Sequence, residues 1–172
     1  SPGSTQLEIW AYGDRMSYRA GDTLKLHVST TAETWNLEIG RDGAVYQPLL
    51  RLEGLPGTYH PTPRDCSVTG CNWPVDREIV LPEDWKPGGY LVTLTAVRGS
   101  EKVEEHHVFI LRPALAGKPA PMLLLCATAT WVAYNDWGGS NSYEGIAGPD
   151  GDEFSPVLST RRPWTRGFAK LP

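Results

Sequence analysis

Tyr134, Asn135, Ser140 and Tyr143 fall within ten residues of one another, in the run Ala129-Thr130-Trp131-Val132-Ala133-Tyr134-Asn135-Asp136-Trp137-Gly138-Gly139-Ser140-Asn141-Ser142-Tyr143. Such a run can build a binding site. Trp131 and Trp137 can wall a pocket, Asn135 can both donate and accept hydrogen bonds, and the Ser140 hydroxyl can reach a substrate or the backbone. Gly138 and Gly139 let the chain turn tightly or approach a ligand closely. Directly before this run stands the apolar stretch Pro121 to Ala127. Read as a stiff buried strand, that stretch delivers Tyr134 and Asn135 to its carboxyl end, where sites of α/β layers are commonly built. A packed aromatic turn without a ligand is the alternative reading of the same residues.

The elements ahead of this stretch read as a β-sandwich. Apolar residues alternate in Leu7 to Trp10, Leu24 to Val28 and Leu91 to Val97, the period of two expected of half-buried strands. Further strands are expected at Trp35 to Gly40, Gln47 to Leu52, Glu78 to Leu81 and Val103 to Leu111. Gly13-Asp14, Gly21-Asp22, Asp42-Gly43 and Gly88-Gly89 punctuate them as turns. About seven or eight short strands suit an immunoglobulin-like sandwich over 1–112. Residues 113–121, with Gly117 and three prolines, read as a linker. Residues 122–172 read as the start of an α/β domain. One strand cannot make a parallel sheet, so this last part is expected to be completed by other polypeptide. No long amphipathic helical pattern and no internal repeat is evident.

The segment from Gly54 to Pro74 is a long loop with four prolines, His60, Cys66 and Cys71. Loops of this length serve a function or need a staple. Cys66 and Cys71 can close a small disulfide in an oxidising compartment, whereas their spacing does not suit a zinc knuckle. Cys126 reads as a buried free thiol. His106 and His107 are neighbours on an expected strand, so they point to opposite faces and do not share a metal. Asp150-Gly151-Asp152-Glu153 is acidic and glycine-flexed but lacks the spacing of an EF-hand, and reads as a solvated loop. No G-x-S-x-G elbow, H-E-x-x-H pair or phosphate-binding glycine loop occurs.

Composition narrows the partners. With 21% charged and 40% hydrophobic residues and a net charge of −4 over 172 residues, the chain reads as a soluble globular protein, the cytoplasm being the compartment favoured. No run of Lys and Arg exceeds Arg161-Arg162, which argues against nucleic acid. No apolar run approaches the ~20 residues that cross a bilayer, and no signal peptide opens the chain. The chain starts Ser1-Pro2-Gly3 without a methionine, as a processed product or a fragment would.

Two regions carry a resemblance to a known family. W-x-A-Y-N-x-W-G-G at Trp131 to Gly139, with Tyr143 and the later Arg162-Pro163-Trp164 step, resembles the large (beta) subunit of N,N-dimethylformamidase and its relatives. Tyr18 to Thr30, opening Y-x-x-G-D, is similar to the start of the sandwich that precedes the catalytic domain there. The aromatic-glycine motif is the more specific of the two.

The resemblance implies an iron-dependent amidohydrolase with a glutamine-amidotransferase-like layer, in which two tyrosinates and a glutamate hold a mononuclear ferric ion. Anionic oxygen donors suit so hard an ion, which activates water for hydrolysis of a small amide. By motif position Tyr134 is one tyrosinate and Tyr90, in Gly88-Gly89-Tyr90-Leu91, the second, with Tyr143 as the fallback. A tyrosine at position 90 also suits a sandwich-edge anchor whose hydroxyl caps a loop. Asn135, Trp137 and Ser140 would contact substrate. The His-Asp-Glu-Tyr-Trp motif that supplies the glutamate and a histidine in the family is absent here, and Trp164 stands where the family has a tyrosine. The expected partners are therefore a second chain or a further segment supplying Glu and His, a small amide, and an oligomeric assembly, without nucleic acid or membrane. A non-catalytic β-sandwich binding or docking module, its seven tryptophans serving packing or a sugar platform, is the alternative function. A family member that kept the fold and lost the metal is a third.

Overall fold

The computed structural model describes residues 6–115, 117–118, 121–145 and 155–169. The acidic stretch Asp150 to Glu153 lies outside the described residues. Eight strands and two short helices follow in the order β1 (Ile9–Gly13), β2 (Ser17–Arg19), β3 (Thr23–Thr30), β4 (Thr34–Asp42), β5 (Gln47–Pro56), α1 (Cys66–Thr69), β6 (Arg77–Val80), β7 (Gly88–Arg98), β8 (Glu101–Arg112) and α2 (Thr128–Tyr134). The strands form two sheets, β1-β3-β6 and β2-β8-β7-β4-β5. All ladders are antiparallel except β2 against β8.

The alternation read from the sequence is the alternation that buries the core. Leu24, Leu26 and Val28 of β3 face Trp35, Leu37 and Ile39 of β4, Tyr90, Val92 and Leu94 of β7 and Phe109 and Leu111 of β8 in one buried cluster drawn from both sheets. The intervening residues of β3, Lys25 and His27, stay partly open to water. Each expected strand is present, but β2 was not foreseen and β5 runs on to Pro56, into the segment read as a loop, while the hairpin at Gly99 keeps β7 and β8 in register to Arg98 and Glu101.

A second, smaller core lies beside the first. Tyr12, Cys66, Cys71 and Trp73 are buried together, with Trp10 and Trp137 packed against them. The proline-rich loop makes this core possible. His27 Nδ1 lies 2.7 Å from the Trp73 carbonyl oxygen, Trp73 Nε1 donates to Pro61 O at 3.0 Å, and Asp76 Oδ2 accepts from Val28 N at 2.9 Å.

One expectation is overturned. Pro121 to Ala127 is not a buried strand: Met122, Leu123, Leu124 and Leu125 are exposed, and the segment joins no ladder among the described residues. A strand needs neighbours to satisfy its backbone, and none of the strands among the described residues pairs with it. The motif therefore starts on helix α2, and Tyr134 is the last residue of that helix. Among the described residues no helix is long and apolar enough to cross a membrane.

His106 and His107 do point to opposite faces. His107 is buried, and Gly13 makes room for it, since a Cβ there would lie 2.7 Å from His107 Nε2. Two residues away on the same face, Glu105 is buried with Arg166 Nε at 3.9 Å. Burial pushes the Glu105 carboxyl up to about 8, against the pull of Arg166, and pushes the His107 imidazole down to about 4. The signs oppose. Glu105 contributes stability in full below its ordinary carboxylate range and loses it as the pH climbs to about 8; His107 contributes in full above its ordinary range and loses it as the pH falls to about 4. Glu105→Gln should therefore gain on the order of 3 kcal/mol relative to wild type between about pH 5 and pH 9. Urea unfolding at the two pH values checks this; equal differences at both would refute it.

Candidate functional site

Helix α2 ends at Tyr134, and the next residue turns inward. Asn135 is buried, donates from Nδ2 to Pro163 O at 2.9 Å, and accepts at Oδ1 from the backbone N–H groups of Trp137 and Thr165 at 3.3 and 3.1 Å. Its carbonyl accepts from Arg162 Nη2 at 2.7 Å. Arg162, only 2% exposed, also donates from Nη1 to the carbonyls of Trp137 and Ser140, and from Nε to Ser159 O at 3.1 Å. A planar fork of five donors suits this role, because the carbonyls of one tight turn converge on it from several directions.

The two glycines make the turn. Gly138 and Gly139 have φ of +85° and +100°, and Gly139 N donates to Asp136 O at 3.0 Å. At Gly138 a Cβ would sit 2.5 Å from Cys66 Sγ, so the backbone here lies directly against α1. Ser140 Oγ donates to Ser67 Oγ at 2.6 Å, and the Trp137 ring meets Trp10 at 5.6 Å and Trp73 at 6.1 Å, both edge-on. The motif is thus docked onto the smaller core.

Below Gly138 lie two thiols. Cys66 and Cys71 are both free and both buried, and they share one small cluster with Tyr12 and Trp73. The neighbouring Cys71 lowers the Cys66 thiol to about 7, assisted by the Arg162 charge, while Cys71 itself is raised by Cys66 and by burial.

From this platform two phenols project into solvent. Tyr134 is 59% and Tyr143 61% exposed, their ring centroids lie 4.8 Å apart, and the Tyr134 phenol beside it raises the Tyr143 phenol. The approach is built locally. Ser142 N donates to Ala133 O at 3.0 Å, while Asn141 Oδ1 accepts from Tyr143 N and Glu144 N at 2.7 and 2.9 Å.

Of the residues singled out from sequence, the structure brings Tyr134 to Tyr143 rather than to Tyr90. Tyr90 is buried, stacked between Trp85 at 5.2 Å and Phe109 at 5.1 Å, and its hydroxyl donates to Lys86 O at 2.6 Å. Burial raises its phenol. Asn135 and Ser140 were expected at a substrate; with 3% and 1% exposure and their polar atoms engaged, they hold the turn instead, and Trp137 is a wedge between Trp10 and Trp73. Arg162, Ser67 and Cys66 were not anticipated as its supports. The signal available was the Arg162-Pro163 step, whose partner Asn135 is brought opposite it only by the fold.

A cleft of about 950 Å³ opens elsewhere, between the edge of β7 and β8 and the segment that leads into α2. Tyr90, Phe109, Leu111, Met122, Leu124 and Trp131 are among its mainly apolar walls, and Tyr134 and Tyr143 are not. No group of three His, Cys, Asp or Glu residues able to hold a metal occurs among the described residues.

A family model described as N,N-dimethylformamidase beta subunit-like, C-terminal, matches residues 40–171. No curated protein matches the chain.

Proposed function

The chain belongs to the N,N-dimethylformamidase beta subunit-like family, and on that premise we propose that it forms part of a metal-dependent hydrolase acting on the C–N bond of a small amide. The observation that carries this reading is the exposed phenol pair Tyr134 and Tyr143, set on a turn fixed by Arg162. Two neighbouring phenol oxygens fit a hard trivalent ion, once each has lost its proton. They would be two of the three protein ligands of a mononuclear ferric ion, and Tyr143 takes the place first given to Tyr90, whose hydroxyl is committed to Lys86 O. The chemistry supplied by a metal held there is Lewis-acid activation of water.

What this chain's own residues do is hold and orient. Arg162 and Asn135 fix the backbone after Tyr134, the Asn141 turn brings Tyr143 back to it, and Trp137 anchors both to the sandwich. The third ligand, a glutamate with its histidine, comes from a further polypeptide segment, in keeping with a beta-subunit-like chain in a multi-subunit enzyme. The four exposed apolar residues Met122 to Leu125 support this, since a contiguous exposed apolar run is a surface that such a segment would cover. The two-sheet part is then an immunoglobulin-like sandwich that serves as a scaffold.

The test is hydrolysis of N,N-dimethylformamide, followed by release of dimethylamine, using the protein isolated together with its bound polypeptide and iron. Tyr134→Phe and Tyr143→Phe are expected to lose iron and at least ~100-fold in kcat, and Tyr90→Phe to keep both. Full iron and activity in Tyr134→Phe would sink the reading.

A further inference from the structure

The smaller core holds a pair of side chains that amide hydrolysis does not use. Cys66 opens the one-turn helix α1 and Cys71 follows the Gly70 turn, so that the six residues 66–71 fold back and bring both thiols into the smaller core. The third cysteine, Cys126, precedes α2 and is part of the cleft wall. We propose that Cys66 and Cys71 are a reversible disulfide pair, oxidised by a hydroperoxide, whose closure locks α1 against the Trp137–Gly139 turn.

Four observations carry it. The two cysteines already share one buried cluster five positions apart in sequence, so closure brings the sulfurs to a bond of ~2.05 Å by side-chain rotation and a small backbone adjustment. The Arg162 guanidinium stands close enough to favour a thiolate at this place, and the thiolate is the form that attacks. Helix α1 has no side-chain cap and spans only Cys66–Thr69, so it is a single short turn that must open to admit a small oxidant to the buried thiols. Finally, α1 is joined to the motif at three points: Cys66 under Gly138, Ser67 Oγ to Ser140 Oγ, and Ser67 O to Ser159 N at 2.8 Å. A crosslink at 66 and 71 therefore restrains the support of the phenol turn.

The chemistry balances without any group beyond the oxidant. Cys66 thiolate attacks the terminal peroxide oxygen and breaks the O–O bond, giving a sulfenic acid and an alcohol or, from hydrogen peroxide, water once the released oxyanion takes up a proton. Cys71 then attacks the Cys66 sulfur, the S–S bond forms, and hydroxide leaves and is protonated to a second water. Two thiols lose two electrons and two protons in total, and the peroxide takes up both. A dithiol reductant reverses the step by exchange.

The experiment uses the reduced protein exposed to hydrogen peroxide, then unfolded in iodoacetamide and digested with trypsin. Cys66 and Cys71 share the tryptic peptide Asp65–Arg77. The expected result is that peptide unalkylated and about 2 Da lighter than its reduced form, as an S–S bond requires, restored by dithiothreitol, while Cys126 is alkylated throughout. The thermal midpoint should rise by roughly 5 °C on oxidation, and should not rise in Cys71→Ser. Recovery of the peptide carrying two alkyl groups, or carrying sulfinic acid at Cys66 without a crosslink, overturns the proposal. So does a crosslink that leaves the thermal midpoint unchanged, since closure would then lock nothing. The outcome does not depend on iron or on amide hydrolysis, so it stands or falls apart from the enzymatic reading.

Discussion

Arg162→Ala should dismantle the aromatic-glycine motif while leaving the two-sheet core folded. The guanidinium is buried and donates to the carbonyls of Asn135, Trp137, Ser140 and Ser159. Truncation leaves four acceptors facing a void in an environment that water enters only by opening the turn. Each orphaned acceptor costs about 1–3 kcal/mol, and relaxation limits the sum to about 3–5 kcal/mol, the range for breaking a buried charged network. The loss is local because none of these partners belongs to a strand of either sheet. Far-ultraviolet circular dichroism should therefore stay close to wild type, while chymotrypsin cuts rapidly within 134–145, after Tyr134, Trp137 or Tyr143, and the tryptophan fluorescence of the Trp10, Trp73 and Trp137 group shifts to the red. Arg162→Lys keeps the charge but cannot span four carbonyls from a single nitrogen, so it should fall between the two. Wild-type protease resistance in Arg162→Ala would show that the guanidinium is not what holds the turn.

Gly138→Ala is the second large effect, and it separates two causes. The residue sits at φ +85°, where an L side chain costs roughly 1–2 kcal/mol, and its Cβ would meet Cys66 Sγ at 2.5 Å, an overlap that costs roughly 1–3 kcal/mol more. Gly139 provides the control, with φ +100° and nothing within 4 Å of a Cβ. Gly139→Ala should therefore show only the backbone part. Combining Gly138→Ala with Cys66→Ala should recover most of the steric part, as a positive coupling in a double-mutant cycle read by urea unfolding. If Gly138→Ala and Gly139→Ala cost the same and Cys66→Ala changes neither, the contact with α1 is not what requires the glycine.

Where burial follows a simple period, the sequence was a sufficient guide. Leu24-Leu26-Val28 and Leu91 to Val97 alternate because one face of each strand meets the other sheet, and that demand is written residue by residue. The loop around Cys66 was recognisable as one in need of a staple, and its staple is a packed core of Tyr12, Trp73 and Trp137 around two free thiols. The aromatic-glycine stretch stood out by its residue types, but which of its side chains turn inward was not legible. Asn135 and Ser140 carry polar groups that a ligand or a neighbouring carbonyl satisfies equally well, and sequence does not say which is nearer. Arg162, 27 residues after Asn135, is joined to it only by the fold. Met122 to Leu125 misled for a related reason: hydrophobicity records a demand for neighbours and not their presence, and none of the eight strands meets it. Tyr90 had two readings open, and the stacked column of Trp85, Tyr90 and Phe109 with a hydroxyl bonded to Lys86 O is the anchor.

The central claim is that Tyr134 and Tyr143, not Tyr90, are the phenols offered to a metal. It is tested most directly by adding ferric ion to the protein, isolated with its bound polypeptide and stripped of metal, and recording the visible absorption. Coordination by phenolate produces a charge-transfer band that carboxylate and histidine ligands do not. The account predicts such a band in wild type and in Tyr90→Phe, weakened in Tyr134→Phe and in Tyr143→Phe and lost when both are replaced. A band that disappears in Tyr90→Phe and persists in the Tyr134→Phe, Tyr143→Phe double variant would contradict it.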